Sequence, residues 1–385
     1  CPLDGAYPLG LAPLSGEPDD VEEGLLSCPK CGRWFPIHGG IPHLVRDGLR
    51  FPDRDRLLVE RHRDRIPRDF RERADIRKYY GGEETMTSED RLILDEGAYW
   101  SSYSRLHYAV GDTSFLDVRS RSTHPSFYPL GVLERDDKDR NRKFGMWPDH
   151  LSRIIYGFLH SIEPGWALDA GCGAGQFGLE ASYRGWNVAA IDIAVGALSV
   201  GRDYARRIGR SMHYIYAEPS HPPFRRGAFD LLMAKDSLHH LPRLDVALSS
   251  ICSTLKPEAR ALIFDHIGSS PLARLIKDRV KPFLHAKILR RYPRVAVPED
   301  LLRESPSEDA GRDDVLSELT RCFDIHTCIK EIMLYHDLEF SIHYAYGRRL
   351  WFTRIMTFMI RWLIEKPMML FQPAEFAVII GKRRP

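Results

Sequence analysis

The sequence predicts an α/β fold: a parallel sheet covered by helices on both faces, with a small cysteine-bearing unit in front. Three observations predict it. From about Pro148 onward, short apolar runs alternate with stretches of helical period. A glycine-rich turn, LDAGCGAGQFG, joins the first run to the first helix. Ahead of this lies a segment of different composition that carries the close pair Cys28 and Cys31.

Residues 1–45 form the small unit. CPLD opens it, a polar, glycine-containing middle follows, and CPKC leads into WFPIHGGIPHLV, a short strand and turn. Residues 46–145 are charged and aromatic with little periodicity, and are expected as helices and loops, a linker and candidate substrate cap. The main domain takes 146–385. HLSRIIYGFLHSI has the apolar spacing of a helix. WALDAG is a strand, and AGQFGLEASYRG is a helix stopped by Gly185. NVAAIDI is a strand, and VGALSVGRDYARRIG is a helix stopped by Gly209. MHYIYAE and FDLLMAKDS are strands, LDVALSSICSTLK a helix, and ARALIFDHI a strand. After a basic, mostly helical stretch from Leu272 to Arg294, SEDAGRDDVLSELTRC is a helix, FDIHTCIKEIML a strand, and FAVIIGK the seventh strand. Insertions at 269–305 and 336–373 interrupt this domain, the second packing over the open edge of the sheet.

Lys and Arg total 55 against 53 Asp and Glu, for a formal net charge of +2. That balance gives no general reason to expect DNA or an anionic membrane as partner, while RNA stays open. Seven scattered cysteines are too few for a disulfide framework and suit a reducing cytosol. No secretory signal is visible, and no charge-free apolar stretch reaches the roughly 18 residues of a membrane span, so a cytoplasmic location is expected. The chain starts at Cys1 without an initiator Met, which leaves room for residues upstream.

In LDAGCGAGQFG the glycines let the backbone turn sharply and let a ligand lie against it with no Cβ in the way. Asp169 ends the strand and can accept hydrogen bonds from an ammonium group. Asp192 ends the second strand, 21 residues after Gly171, where a carboxylate can accept both hydroxyls of a ribose. A rival exists: Gly173, Gly175 and Gly178 fit the G-x-G-x-x-G fingerprint of an NAD-dependent oxidoreductase. Asp169 tilts the choice, because a carboxylate is repelled by a pyrophosphate and attracted by an ammonium.

LDAGCGAGQFG, AAIDIA, FDLLMAKDSLHHL and STLKPEARALIFDHI resemble, in order and spacing, the successive motifs of class I S-adenosylmethionine-dependent methyltransferases of the methyltransferase type 11 kind. The resemblance spans Trp147 to Ile267, and the last two strands more loosely. It implies a Rossmann-like seven-stranded, mostly parallel sheet whose last strand is antiparallel, with S-adenosylmethionine as cofactor. It places Asp169, Gly171 and Gly173 at the methionine end, Asp192 at the ribose and Ile193 beside the adenine. Cys172, Gly175, Ala217, Glu218 and Lys235 complete the cofactor-binding candidates. Two departures stand out. Tyr216-Ala217-Glu218 replaces the frequent Asp-Ala pair, leaving Glu218 or the backbone alone to read the adenine. Lys256-Pro257-Glu258-Ala259 replaces the usual Lys-Pro-Gly-Gly turn.

Methyl transfer is an in-line displacement at a sulfonium, so a nucleophile must sit about 3 Å from the methyl group and a hydroxyl must lose its proton. Bases are expected at the carboxyl ends of the strands. His239, His240 and Asp236 follow the fourth strand and are the catalytic candidates; Asp265 and His266 end the fifth. The competing reading is structural, since a His at the position of His240 often only braces this loop in the family. A carbon or neutral amine nucleophile would need no strong base.

Cys28-Pro29-Lys30-Cys31 has the spacing of a zinc knuckle. Cys1 supplies a third ligand, and Asp4 stands where C-x-x-C spacing from Cys1 would put a fourth thiol; His38 and His43 are alternatives. The segment from CPLD through CPKCGRWFPIHGGIPHLV resembles the small zinc-ribbon-like domain that activates tRNA and ribosomal methyltransferases and is also fused in front of others. The competing reading is a metal-free relic held by Trp34, Phe35, Ile37 and Ile41.

RRLWFTRIMTFMIRWLIEKP puts Arg354, Arg361 and Glu365 on one helical stripe beside a wide apolar face. A helix packed on the core is the favoured reading; the other is a membrane-surface helix or a lid over a greasy substrate. The leading function is methyl transfer to a small-molecule, sugar or lipid-linked acceptor. A noncatalytic assembly or RNA-binding module, and the NAD-dependent oxidoreductase, are the competitors. Oligomeric state has no signature here.

Overall fold

The computed structural model describes residues 1–109, 149–268, 270–272, 305–307, 314–332 and 358–384, with the single positions 275, 279 and 355. The 110–145 part of the expected linker, and most of the insertions at 269–305 and 336–373, lie outside the described residues.

The main sheet has seven strands: β5 (Trp166–Ala170), β6 (Asn187–Asp192), β7 (His213–Tyr216), β8 (Phe229–Lys235), β9 (Leu255–His266), β10 (Phe323–Glu331) and β11 (Phe376–Arg383). Their order across the sheet is β10-β11-β9-β8-β5-β6-β7. All neighbours pair in parallel except β11, which runs antiparallel to both β9 and β10. The expected sheet, including its one reversed last strand, is the observed one.

Alternation of side chains along the strands explains the layers. Ala167, Val188, Leu231, Leu262 and Val378 point to one face, where they meet Leu151, Ile155 and Leu159 of α4 (Asp149–Ser161) and Phe177 of α5 (Gln176–Ser182). Leu168, Ile191, Leu232 and Ile263 point to the other face, under Leu248 and Ile251 of α7 (Leu244–Thr254) and Leu319 of α8 (Val315–Cys322). Helix α6 (Val195–Arg207) follows β6 and packs Leu198 and Tyr204 beside Ala190 and Tyr214. Because β5 switches partners between β6 and β8 at the middle of the sheet, a crevice opens at their carboxyl ends.

The N-terminal unit is a four-stranded antiparallel sheet of β1 (Gly10–Glu17), β2 (Asp20–Ser27), β3 (Trp34–His38) and β4 (Ile41–Pro42). The polar middle of the sequence is therefore a hairpin of two eight-residue strands. Its inward residues are few, Ala12, Leu14 and Leu25, and they close against Leu58 and Val59 of α1 (Pro52–Arg61) and Phe70 of α2 (Arg68–Arg73). The guanidinium of Arg50 is buried there, donating to Asp55 at 2.6 Å and to the Trp34 carbonyl at 2.8 Å.

Two seams fasten this unit to the main domain. The chain after β4 bridges the free edge of the large sheet: His43 pairs with Tyr216, and the Leu44 N–H donates to the Tyr216 carbonyl at 2.9 Å. On α6, Arg202 donates to Asp20 at 2.6 Å and to Glu22 at 3.0 Å, both on β2. Helix α3 (Ser88–Ala109) then crosses over α6 toward the crevice.

Candidate active site

The floor of the crevice is the bend after β5. Gly171 and Cys172 donate their N–H groups to the Ile191 carbonyl at 3.0 and 3.1 Å, which pins the bend against β6. Gly171 and Gly173 both have positive φ, at 68° and 55°. A Cβ at Gly171 would fall 2.5 Å from Ser237, whereas one at Gly173 would meet nothing within 4 Å. The first glycine is thus required by packing, and the second leaves bare backbone facing the cavity.

Two carboxylates flank this bend. Asp169 is 1 % exposed. Its Oδ2 accepts the Gly178 N–H at 2.8 Å, while Oδ1 is buried with no hydrogen-bond partner. Burial is the main reason its pKa rises to about 7, helped by the charge of Asp192; the Gly178 hydrogen bond and Lys235 act the other way. A buried acceptor left open at the floor of a cleft fits a cationic ligand group. Asp192 accepts the Gly173 N–H on Oδ2 and the Ala194 N–H on Oδ1, each at 2.7 Å. Each oxygen keeps a second lone pair for a diol. Cys172 lines the cleft as a thiol, its pKa pushed well up by burial and the nearby carboxylates.

Glu218 closes the far end. Burial alone would raise its pKa, yet hydrogen bonds from His221 and Arg46 hold it below the usual range. The Arg46 Nε donates to Glu218 at 2.8 Å, and the same guanidinium pairs with Asp90. Asp90 is itself fixed in a capping box: its carboxylate accepts the Thr87 N–H at 2.8 Å, and the Thr87 hydroxyl accepts the Asp90 N–H at 3.1 Å. The start of α3 is thereby tied to the Glu218 end of the crevice through one arginine.

The remaining wall comes from α3. Glu89, Ile93, Glu96, Trp100 and Ser104 line the cavity, spaced so that one helical face carries them all. Glu96 is buried and accepts from the Trp100 indole at 2.6 Å and from the Ser307 N–H at 2.8 Å; its Oε1 lies 3.3 Å from His240 Nδ1. The His240 ring meets the Trp100 ring edge-on at 5.4 Å. Asp236, also on the cavity wall, is the one described non-glycine residue with positive φ, at 47°. It pairs with Lys235, and its Oδ1 is buried without a hydrogen-bond partner.

His239 points the other way. It is fully buried, and its Nδ1 lies 2.5 Å from Asp265 Oδ1. Asp265 also accepts the N–H groups of Ser237 at 3.0 Å and Leu238 at 2.8 Å, so this pair braces the loop after β8. Of the three catalytic candidates, then, His240 and Asp236 reach the cavity and His239 does not. Of the cofactor candidates, Asp169, Gly171, Cys172, Gly173, Asp192, Ile193, Glu218 and Lys235 line it. Gly175 and Ala217 lie outside: Gly175 faces the Tyr214 ring, and Ala217 is core, its N–H on the Asp192 carbonyl. Arg46, Glu96 and Trp100 were not foreseen. The stripe on α3 mixes charged and apolar residues, so it lacks the hydrophobic contrast that marks a buried helix face.

In the small unit, one ligand atom each from Cys1, Asp4, Cys28 and Cys31 lie within 4.8 Å of one another. The Cys1 and Cys31 sulfurs are 3.9 Å apart. Two thiolates about 2.3 Å from one tetrahedral zinc would stand roughly 3.8 Å apart, so the donor set fits that ion. The Lys30 and Cys31 N–H groups donate to Cys28 Sγ at 3.4 Å, as suits a thiolate ligand. His38 and His43 are not part of the cluster: His38 pairs with Asp55, and His43 packs on Tyr216.

Residues 168–263 match the family model described as a methyltransferase domain, and residues 1–40 match that described as Trm112p-like protein. Ubiquinone/menaquinone biosynthesis C-methyltransferase UbiE of Brucella anthropi is 32 % identical over 126 residues, covering 31 % of this chain and 47 % of that protein. Sterol 4-C-methyltransferase strm-1 of Caenorhabditis elegans is 28 % identical over 120 residues, covering 31 % of this chain and 36 % of that protein. The chain thus spans less than half the length of these two curated relatives. A solved geranyl diphosphate C-methyltransferase from Streptomyces coelicolor A3(2), bound to S-adenosyl-L-homocysteine, is similar at 14 % identity and a TM-score of 0.40, over 74 % of this chain and 98 % of that one. Behind a Trm112p-like segment, the chain carries a methyltransferase domain.

Proposed function

We propose that this chain transfers the methyl group of S-adenosylmethionine to a small acceptor with an apolar body and a proton-bearing nucleophile. The observation that carries the proposal is the open, buried Oδ1 of Asp169 beneath side-chain-free backbone at Gly173. A pyrophosphate there would face a carboxylate, which speaks against the oxidoreductase. When bound, S-adenosylmethionine supplies an electrophilic methyl group on a sulfonium.

The residues divide the work. Asp169 holds the ammonium of the methionine end, Asp192 the ribose hydroxyls, and Glu218, kept ionised by Arg46, the adenine end. The nucleophile enters between α3 and the loop after β8, where Ile93, Trp100 and Leu241 offer apolar wall. His240 takes the proton of the acceptor: with Nδ1–H donated to Glu96, its Nε2 is left basic. Asp236 orients the nucleophile or its hydrogen bonds. The similarity to ubiquinone/menaquinone and sterol C-methyltransferases supports an acceptor of this apolar kind. Zinc in the Trm112p-like unit would be structural, since the cluster does not line the cavity.

The test is release of S-adenosylhomocysteine from S-adenosylmethionine across a panel of quinol, sterol and lipid-linked sugar acceptors. Acceptor-dependent release is expected for at least one apolar class. Tight binding of S-adenosylhomocysteine with no turnover on any acceptor would favour the noncatalytic assembly instead.

A further inference from the structure

Outside the crevice, two groups of side chains take no part in the proposed chemistry. One is the apolar face of 358–371. Phe358, Trp362, Leu370 and Phe371 are exposed there, while Arg361 and Lys366 turn inward onto Glu331, so the expected core-packed helix is not what these residues form. The other is a pair of thiols. Cys252, on the last turn of α7, and Cys322, the last residue of α8, lie on helices that pack against each other. Cys252 is buried in the core beneath them, and the half-buried Cys322 packs against the same core. Both thiols are free, and their sulfurs are in hydrogen-bond contact. The backbone fixes the two positions. The Cys252 carbonyl accepts the Leu255 N–H, the Leu255 carbonyl accepts from the Arg383 guanidinium, and the Arg384 N–H donates to the Cys322 carbonyl at 2.9 Å. The end of β11 thus ties the ends of both helices together.

We infer that Cys252 and Cys322 are a reversible dithiol–disulfide pair, a site of oxidation by small disulfides such as glutathione disulfide. The partners are unequal. Cys322 is the more accessible, and the hydrogen bond from Cys252 lowers its pKa; burial and Glu318 oppose this, while Arg383 and Arg321 reinforce it. The same hydrogen bond raises Cys252, as does burial. Since the thiolate is the nucleophile in disulfide exchange, Cys322 attacks first. Its sulfur bonds to one sulfur of glutathione disulfide, whose S–S bond breaks and releases a glutathione thiolate. Cys252 then gives its proton to that thiolate, and its sulfur attacks the Cys322 sulfur and expels the second glutathione. Two cysteine thiols are oxidised, and one disulfide is reduced to two thiols. Burial raises both Cys172 and Cys328, so neither competes as nucleophile, and the other three cysteines belong to the metal cluster. The bond closes a loop of about 70 residues, a length at which a cross-link strongly restricts the unfolded chain. Neither cysteine lines the crevice, so the inference is independent of the methyl-transfer proposal.

The experiment incubates the zinc-loaded full chain with excess glutathione disulfide, caps the remaining thiols with an alkylating agent and maps peptides by mass spectrometry. The expected result is a linked Cys252–Cys322 peptide that excess reduced glutathione dissolves, with a melting temperature several degrees above that of the reduced protein. In Cys252→Ser the second step has no nucleophile, so the glutathione adduct of Cys322 should accumulate to about ten times its wild-type level. A cooperative thermal transition shows that this variant is folded; should it lack one, Cys252→Ala replaces it. Absence of the linked peptide from the wild type, a lasting glutathione adduct on wild-type Cys322, or linked peptides formed equally with Cys172 and Cys328 overturns the inference.

Discussion

The two ends of the crevice are built in opposite ways. The end proposed for the cofactor comes largely from one contiguous stretch, from Asp169 to Glu218, whose glycines and carboxylates are set by a single bend and the ends of neighbouring strands. The end proposed for the acceptor is assembled from α3, the loop after β8 and Ser307, with Glu96 hydrogen-bonded to a residue 211 positions away. A site made of contiguous chain can be recognised by its spacing; a site made of distant pieces exists only once the chain has folded. Chemistry shared across a fold class belongs to the first kind of construction, and the choice of acceptor belongs to the second.

If the two ends are separable, variants at each should fail in different measurements. His240→Ala should lower turnover by about a thousandfold while S-adenosylhomocysteine affinity stays within about twofold of wild type. Equal loss of both would show that His240 serves the cofactor pocket. Asp169→Asn should do the reverse first, weakening S-adenosylhomocysteine by about a hundredfold through the loss of a charge-assisted contact.

Asp169 also links function to stability. Its folded pKa, about 7, lies above the ordinary 3.8, so its contribution is fully present below the ordinary value and is lost as pH rises through about 7. Roughly three units amount to about 4 kcal/mol at most. The Asp169→Asn protein without ligand should therefore melt higher than wild type near pH 8, by a margin that shrinks steadily as pH falls toward about 4, by thermal unfolding. A lower melting temperature at pH 8 would mean that the ionised carboxylate is already compensated.

Smaller effects probe the supports. Glu96→Gln should reduce turnover by about tenfold and move the acid limb of the pH–rate profile to lower pH, because a carboxylate beside an imidazole favours its protonated form. An unmoved profile would leave Glu96 with a packing role only. Cys28→Ser, or chelation, should remove zinc detectable by metal analysis and lower the melting temperature by several degrees. Cofactor affinity should stay within about threefold, since the cluster lies apart from the crevice.

What the sequence disclosed follows the same division. Alternating runs were enough for the seven strands and their reversed last member, and glycine plus aspartate spacing was enough to find the bend. Cysteine spacing brought Cys1, Asp4, Cys28 and Cys31 together on paper before the fold did. The β1–β2 hairpin was hidden because small and polar residues dilute its alternation, leaving only Ala12, Leu14 and Leu25 as inward markers. The pairing of Arg46 with Glu218, 172 residues apart, has no local signature at all. Neighbouring histidines show the limit most directly: His239 and His240 are chemically identical in the sequence, yet one is buried on Asp265 and the other faces the cavity. For the C-terminal segment, periodicity revealed that one face is apolar and could not reveal that this face turns outward.

The proposed function rests on a carboxylate at the floor of a side-chain-free bend that would receive the ammonium of a sulfonium nucleoside. Calorimetric titration with S-adenosylhomocysteine and with NAD, repeated in buffers of different ionisation enthalpy around pH 7, tests it most directly. One-to-one binding of S-adenosylhomocysteine is expected, tightening as pH rises through about 7 and releasing about half a proton at that pH as Asp169 ionises. Binding of NAD in its place, or an S-adenosylhomocysteine affinity that neither depends on pH in this window nor releases a proton, would contradict it.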